Sequence, residues 1–338
     1  MTADDYSSLD GLFHPASIAI IGASSNPIET GWVKRLLDFG YKGLIYPVNL
    51  KAKEISGIKA YPNMRDVPDL VKYAILNIPA ENTPQAMRDC AAKGVKYVHC
   101  YTAGFAENGT EQGKQLEIEL AQIAQDNGIR LIGPNCMGVY CPASGMTFSE
   151  DFPKEKGRIA LISQSGAEAS RLVFLCQDVN LYFSKAVSYG NAVDLDAPDF
   201  LEYLAKDTET DIIALYIEGV KNASRFMAAV KKCMEKKPVV ILKAGLTADG
   251  AGVALLHTGS ITGSKTDWKD LLKQTRAIPA QTMDEVADIL QDVTRIKKLA
   301  GRRIAIVGRG GGIGVVATDI CELAGLKVPP SAPKRKNN

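Results

Sequence analysis

Three times along this 338-residue chain a short, mostly apolar run passes through a turn of small residues into a helical pattern. The runs are Ser17-Ile-Ala-Ile-Ile-Gly22, Ile159-Ala-Leu-Ile162 and Arg303-Ile-Ala-Ile-Val-Gly308. Each is too short for a buried helix and too continuously apolar for a half-exposed strand, so each is expected as a parallel strand covered on both faces. The turns that follow are Gly22 to Gly31, Ser163-Gln-Ser-Gly166 and Arg309-Gly-Gly-Gly-Ile-Gly314. In a strand, turn and helix of this kind, backbone N–H groups and the helix dipole converge, which makes an anion cradle.

The first unit opens a series. Further strands are expected at 44–49, 72–78, 97–101 and 130–133, alternating with helices at 32–39, 84–93 and 111–127. Alternation with short loops argues an α/β fold with a doubly wound parallel sheet. Several strands end in polar or small residues: Asn49 with Lys51, Asn77 with Pro79, Thr102 with Gly104, and Asn135. Ligands bind at such ends in open sheets, although each of these residues serves equally well in a turn. The first turn is not GxGxxG, since Ala23 and Ser24 follow Gly22, and this argues against a nicotinamide cofactor.

Residues 141–157 carry prolines, glycines and mixed charge without periodicity, and are expected to close the first domain. The second series then runs through strands 159–162, 184–188, 212–218 and 238–243, with helices at 167–176, 197–205 and 222–236. A third unit holds a strand at 303–308 and a helix at 315–324. The Pro-rich basic stretch from Val328 onward is expected to be disordered. The expected division is therefore 1–150, 151–300 and 301–338. A single βα unit cannot bury both its faces, so the third part must pack on the second domain or on another chain.

With 40 basic and 38 acidic residues well mixed, the net charge of +2 gives no field suited to nucleic acid or an anionic membrane. No apolar run reaches the length of a membrane span, and the polar, acidic start MTADDYSSLDGLFHP is unlike a secretory signal, so a cytoplasmic location is expected. The seven cysteines are scattered without CxxC or ligand spacing, and are expected as reduced, buried thiols with no metal site.

Two further residues stand out. His257 lies in AGVALLHTGSITGS, between an apolar run and a Gly/Ser/Thr cluster that favours neither helix nor strand. A lone histidine is more often structural than catalytic; the two others, His14 before Pro15 and His99 inside a strand-like run, are ordinary. Glu218 closes the strand Ile212-Ile-Ala-Leu-Tyr-Ile and precedes Gly219. It is either a solvated strand-end acid or a carboxylate that orients an imidazole.

Eight motifs together carry a resemblance. Gly22-Ala-Ser with Pro27 and Gly31, Tyr46-Pro-Val-Asn-x-Lys51, Ala103-Gly-Phe-Ala-Glu107, Ile132-Gly-Pro-Asn-Cys-Met-Gly138, Leu161-Ile-Ser-Gln-Ser-Gly166, Tyr216-Ile-Glu-Gly219, Leu242-Lys-Ala-Gly245 and His257-Thr-Gly-Ser260 occur in the order seen in ADP-forming acyl-CoA synthetases. The chain resembles their CoA-binding α part and, more distantly, the α subunit of succinyl-CoA synthetase. The resemblance implies an N-terminal Rossmann-like CoA-binding domain and a flavodoxin-like ligase-type domain, while the third α/β unit, complete in family α parts, is expected here as a truncated one. It implies that His257 takes a phosphoryl group from an acyl phosphate and passes it to ADP, with Glu218 orienting the ring. Ser163, Gln164, Ser165 and Gly166 would hold phosphate. Coenzyme A would lie against Gly22, Ala23, Ser24, Asn26, Lys51, Asn77, Ile78, Pro79, Thr102, Ala103 and Gly104, with Asn135 nearer the thioester and Lys51 at a terminal phosphate.

The chain departs from the family in lacking an ATP-grasp module, so the resemblance implies a separate β-type chain that binds ADP or ATP with Mg2+, in a hetero-oligomer. Leu255 and Leu256 also stand before His257, where small or polar residues are expected. The competing reading is a non-catalytic relative that keeps the CoA pocket and senses acyl-CoA.

Overall fold

The structure, a computed structural model, describes residues 9–26, 31–247, 249–250, 265–296 and 301–329. After a short helix α1 (Asp10–Phe13), the first series runs β1 (Ser17–Ile21), α2 (Trp32–Phe39), β2 (Leu44–Val48), a small hairpin of β3 (Glu54–Ile55) and β4 (Ile58–Lys59), β5 (Tyr73–Leu76), α3 (Thr83–Ala92), β6 (Tyr97–Cys100), α4 (Glu111–Asp126) and β7 (Arg130–Ile132). The major strands form one parallel sheet in the order β2-β1-β5-β6-β7. Every residue of β1 and β5 is buried, as continuous apolar runs in a covered sheet should be.

The chain enters the second sheet ahead of the 141–157 stretch. β8 (Gly138–Tyr140) pairs antiparallel with β10 (Phe183–Ser188). The second sheet is completed by β9 (Ile159–Ser163), β11 (Ile212–Ile217), β12 (Val239–Lys243) and β13 (Ile278–Ala280), in the order β13-β12-β11-β9-β10-β8. Helices α5 (Gly166–Asp178), α6 (Ala197–Leu204), α7 (Ala223–Met234), α8 (Lys265–Thr275) and α9 (Met283–Arg295) accompany it. The starts of α4, α5 and α7 are capped by the side chains of Thr110, Ser165 and Asn222, and α6 opens on a capping box of Asp196 and Asp199.

Both sheets reverse direction in the same way. In the first, the chain moves from β1 outward to β2, then returns to β5 on the other side; in the second, it moves from β9 to β10 and returns to β11. The crevices lie at the carboxyl ends of β1/β5 and β9/β11, where an open α/β sheet binds its ligands. The sheets are also tied at their sides: Arg130 of β7 reaches Asp194 and Asp199 at 3.1 Å each, and Leu131 N–H donates to the Asp194 carboxylate at 2.7 Å.

The chain divides into compact units of residues 1–291 and 292–338. In the second unit, α10 (Gly311–Leu323) covers the helix expected at 315–324 but starts four residues earlier, inside the expected glycine turn, and residues 303–308 do not make the expected strand. A strand needs a partner along its length, and among the described residues this one finds a single bridge, Arg303 with Lys327. The expected disordered tail falls mostly on residues outside the described set. None of the seven cysteines is in a disulfide, and six are buried. No helix among the described residues is long and apolar enough to cross a membrane.

Candidate functional site

At the second crevice the turn after β9 is shaped by its own side chains. Ser163 is fully buried, and its hydroxyl donates to the Ser165 carbonyl at 2.6 Å while accepting Ser165 N–H at 3.2 Å. Ser165 then caps α5 by accepting Glu168 N–H at 3.3 Å. This leaves the N–H groups of Gly166 and Ala167, which have no intrahelical acceptor, at the positive end of a 13-residue helix.

Gln164 and Glu218 meet across the reversal. The Gln164 carboxamide oxygen accepts the backbone N–H of Glu218 and that of Gly219, the second at 2.9 Å. The Glu218 carboxylate accepts the Tyr216 hydroxyl at 3.2 Å. From β12, the Lys243 ammonium donates to the Glu218 carbonyl at 2.8 Å and to the Ala244 carbonyl. Burial pushes the Lys243 amine down to about 8, against the opposing pull of Glu218.

At the first crevice, Gly22 sits at φ +84°, and a Cβ there would lie 2.1 Å from the Asn77 carbonyl. Only glycine lets the ends of β1 and β5 come this close. Asn77 N–H continues the ladder to Ile21 at 2.8 Å, and Thr102 donates its hydroxyl to the Ile78 carbonyl at 2.7 Å. Asn49 Nδ2 donates to the Ala23 carbonyl at 2.8 Å, and its Oδ1 accepts Lys51 N–H at 2.8 Å, so Lys51 leaves the end of β2 on a fixed turn.

The linker from β7 to β8 brings the two crevices together. Asn135 lies there in the left-handed region at φ +58°, which asparagine tolerates, with its N–H on the Thr102 carbonyl at 2.9 Å. A cavity of about 510 Å³ is lined by Asn77, Ile78, Pro79, Thr102, Ala103 and Asn135 from the first series and by Gln164, Ser165 and Gly166 from the second. Tyr101, Cys136, Met137 and Ala167 give it apolar surface, and Gly190 and Asn191 close one side. A Cβ at Gly190 would stand 2.3 Å from the carbonyls of Pro134 and Asn135, so the linker presses directly on the backbone after β10. Among the described lining residues none is charged. An anion here would meet amides, hydroxyls and the α5 N-terminus.

The wall at Asn191 is built from the Ala103-Gly-Phe-Ala-Glu107 stretch. Asn191 Nδ2 donates to Glu107 at 2.6 Å and to Glu117 at 2.7 Å. The other Glu107 oxygen accepts Gly104 N–H at 2.6 Å and Phe105 N–H at 3.1 Å. Burial raises the Glu117 carboxyl above its ordinary value.

The residues expected from the sequence therefore fall into groups. Asn77, Ile78, Pro79, Thr102, Ala103, Asn135, Gln164, Ser165 and Gly166 share the central cavity. Gly22 and Lys51 line a second cleft of about 510 Å³ that also touches Ile78. Ser24 and Asn26 line a smaller one of about 270 Å³ beside the start of α2. Ala23, Gly104 and Ser163 shape backbone and line none of these three. His257 lies outside the described residues. Asn191 and Lys243 are residues to which the sequence assigns no site role. Lys243 carries two signals without an assigned role, its place in the Leu242-Lys-Ala-Gly245 motif and a lysine inside an otherwise apolar strand; Asn191 gives none, because its partners are 84 and 74 positions away.

Known proteins share this architecture. A family profile described as a CoA binding domain matches residues 16–142, and one described as a succinyl-CoA ligase like flavodoxin domain matches residues 156–292. The chain is 41% identical over 323 residues to the acetate–CoA ligase [ADP-forming] II subunit alpha of Pyrococcus furiosus, covering 95% of this chain and 70% of that protein. It is 40% identical to the I subunit alpha of the same organism, covering 94% and 70%. Among solved structures it is similar to the dinucleotide forming acetyl-coenzyme A synthetase 1 of Ca. Korarchaeum cryptofilum in complex with phosphate and ADP. There the TM-score is 0.87 with 34% identity, over 96% of this chain and 74% of the other.

Proposed function

This chain belongs to the ADP-forming acetate–CoA ligase family, and on that premise we propose that it is the CoA-binding, phosphoryl-carrying subunit of an acyl-CoA synthetase. The overall reaction is acyl-CoA + phosphate + NDP to acid + CoA + NTP. The observation that carries this reading is the central cavity, which joins strand ends of the first sheet to the N-terminus of α5.

CoA, as substrate, would enter with its nucleotide over Gly22 and Lys51 and its pantetheine arm past Ile78, the residue common to both large clefts. Lys51 would meet a terminal phosphate as a point charge on a flexible stem. The thioester would then reach Asn135 in the central cavity. Phosphate held on Ser165, Gly166 and the α5 N–H groups would attack the thioester carbonyl, forming an acyl phosphate as CoA leaves as its thiol. The uncharged lining suits this step, since dipoles fixed in advance stabilise charge as it develops.

His257 would next attack the phosphorus of the acyl phosphate. The acid departs as carboxylate, and the phosphoryl group is left on the imidazole. A neutral imidazole is a competent nucleophile near pH 7 and forms a phosphoramidate that can donate in turn. Glu218 would orient the ring by accepting its N–H. A partner of ATP-grasp type, with ADP and Mg2+, would receive the phosphoryl group. The alpha-subunit names of the Pyrococcus furiosus relatives support a partner chain.

The test is a coupled assay of the chain co-expressed with an ATP-grasp chain. Acetyl-CoA, phosphate and ADP should yield ATP and free CoA thiol in equal amounts. Thiol release without ATP would contradict the reading.

A further inference from the structure

The Glu218 peptide is held from both sides by side chains of the neighbouring strands. Gln164, just past β9, accepts its N–H, and Lys243, at the end of β12, donates to its carbonyl at 2.8 Å. Lys243 is only 6% exposed, and it spends a second N–H on the Ala244 carbonyl. Its ammonium lies 5.3 Å from the centre of the Trp268 ring on α8. A buried ammonium costs free energy unless it is paired, so a lysine here in place of an apolar residue calls for a reason beyond packing. We propose that Lys243 is a positioning residue for phosphoryl transfer: its cation clamps the Glu218–Gly219 turn and so aims the Glu218 carboxylate at the imidazole it orients. This deepens the function proposed above and rests on it.

The surroundings give the clamp a pH dependence. Among the described residues, Glu218, just past β11, is the charge that acts on the ammonium. Tyr216 of β11 bonds the Glu218 carboxylate. Among the described side chains, β13 contributes Ile278, Pro279 and Ala280, and α8 sets the Trp268 ring against the ammonium. With the amine pushed down to about 8, the clamp is charged at neutral pH and loses its third proton as the pH rises through that value. A neutral amine has fewer donors and a weaker hold on two carbonyls.

Lys243→Met and Lys243→Arg test this in the chain co-expressed with an ATP-grasp chain. The rate of phosphoprotein formation from acetyl-CoA and radiolabelled phosphate is measured between pH 6 and 10, and CoA affinity is measured by calorimetry. Lys243→Met is expected to lower the rate by about tenfold to a hundredfold, because a small misplacement of an orienting group is costly. Its CoA affinity should stay within about twofold of wild type. Lys243→Arg, which keeps the charge at every pH used, should recover most of the rate and lose the fall above pH 8.

Three results overturn the proposal. One is a Lys243→Met rate and pH profile equal to wild type. Another is a Lys243→Met loss in labelling matched by an equal loss in CoA affinity, the mark of a merely structural role. The third is a fall above pH 8 that Lys243→Arg leaves in place. A wild-type chain that takes no label overturns the parent function, and this proposal with it.

Discussion

Gln164 and Glu218 are 54 positions apart, yet the carboxamide oxygen of the first accepts the backbone N–H of the second and of Gly219 beside it. The sheet reversal makes this possible, since β9 and β11 are neighbours although β10 and α6 intervene in the chain. One side chain thus closes the second crevice and leaves its NH2 group as the donor available to the cavity it lines.

That double acceptor separates folding from chemistry at Gln164. Gln164→Ala strands two buried N–H groups and should cost about 1–3 kcal/mol in urea denaturation. Gln164→Glu keeps an acceptor in place, so most of the stability should remain, but it sets a negative charge where phosphate is proposed to bind. Its labelling by phosphate should fall far more than its denaturation midpoint.

Gly22→Ala puts a Cβ at φ +84° and within 2.1 Å of the Asn77 carbonyl, so backbone must move. A stability loss of about 2 kcal/mol or more is expected in urea denaturation, as for other strained backbone positions. CoA affinity should fall with it, because the same movement widens the first crevice. Unchanged stability would mean that the two strand ends are not held so close.

Lys51→Ala should leave stability unchanged, the side chain being exposed. It should weaken CoA binding by about tenfold, as expected when a phosphate gives up one cationic partner. Calorimetry with CoA and dephospho-CoA provides the check. The wild type should prefer CoA, and the variant should bind the two alike.

Lys243 predicts opposite pH trends for stability and activity. Its amine is depressed from 10.5 to about 8, so between these values the unfolded chain binds more protons than the folded one. This group therefore adds stability as the pH rises through that window, and the gain is absent below it. Catalysis should fall over the same interval as the clamp discharges. Denaturation midpoints of wild type and Lys243→Met, compared between pH 7.5 and 10, should show wild type gaining on the variant as the pH rises.

Much of the architecture is legible in the sequence because continuous apolar runs and the turns between them are local signals. The strand ends Asn77, Thr102 and Asn135 and the start of α5 at Ser165 and Gly166 are signals of this kind. Three features depend on distant partners and are not legible. β8 lies in the second sheet only because β10 is there to receive it. Residues 303–308 have a strand's composition but, among the described residues, only a single bridge. Lys243 and Asn191 owe their surroundings to residues of other strands and helices. Ser163 is a subtler case: its hydroxyl is spent on the turn, so a side chain with a ligand's chemistry serves as a brace for Ser165.

The central claim is that a phosphoryl group passes through His257. The chain, co-expressed with an ATP-grasp chain, should be incubated with acetyl-CoA and radiolabelled phosphate, and the protein then tested for acid-labile, base-stable label. Wild type should take up close to one phosphoryl group per chain and surrender it to ADP as ATP, while His257→Asn takes up none. Equal labelling of wild type and His257→Asn would contradict the account.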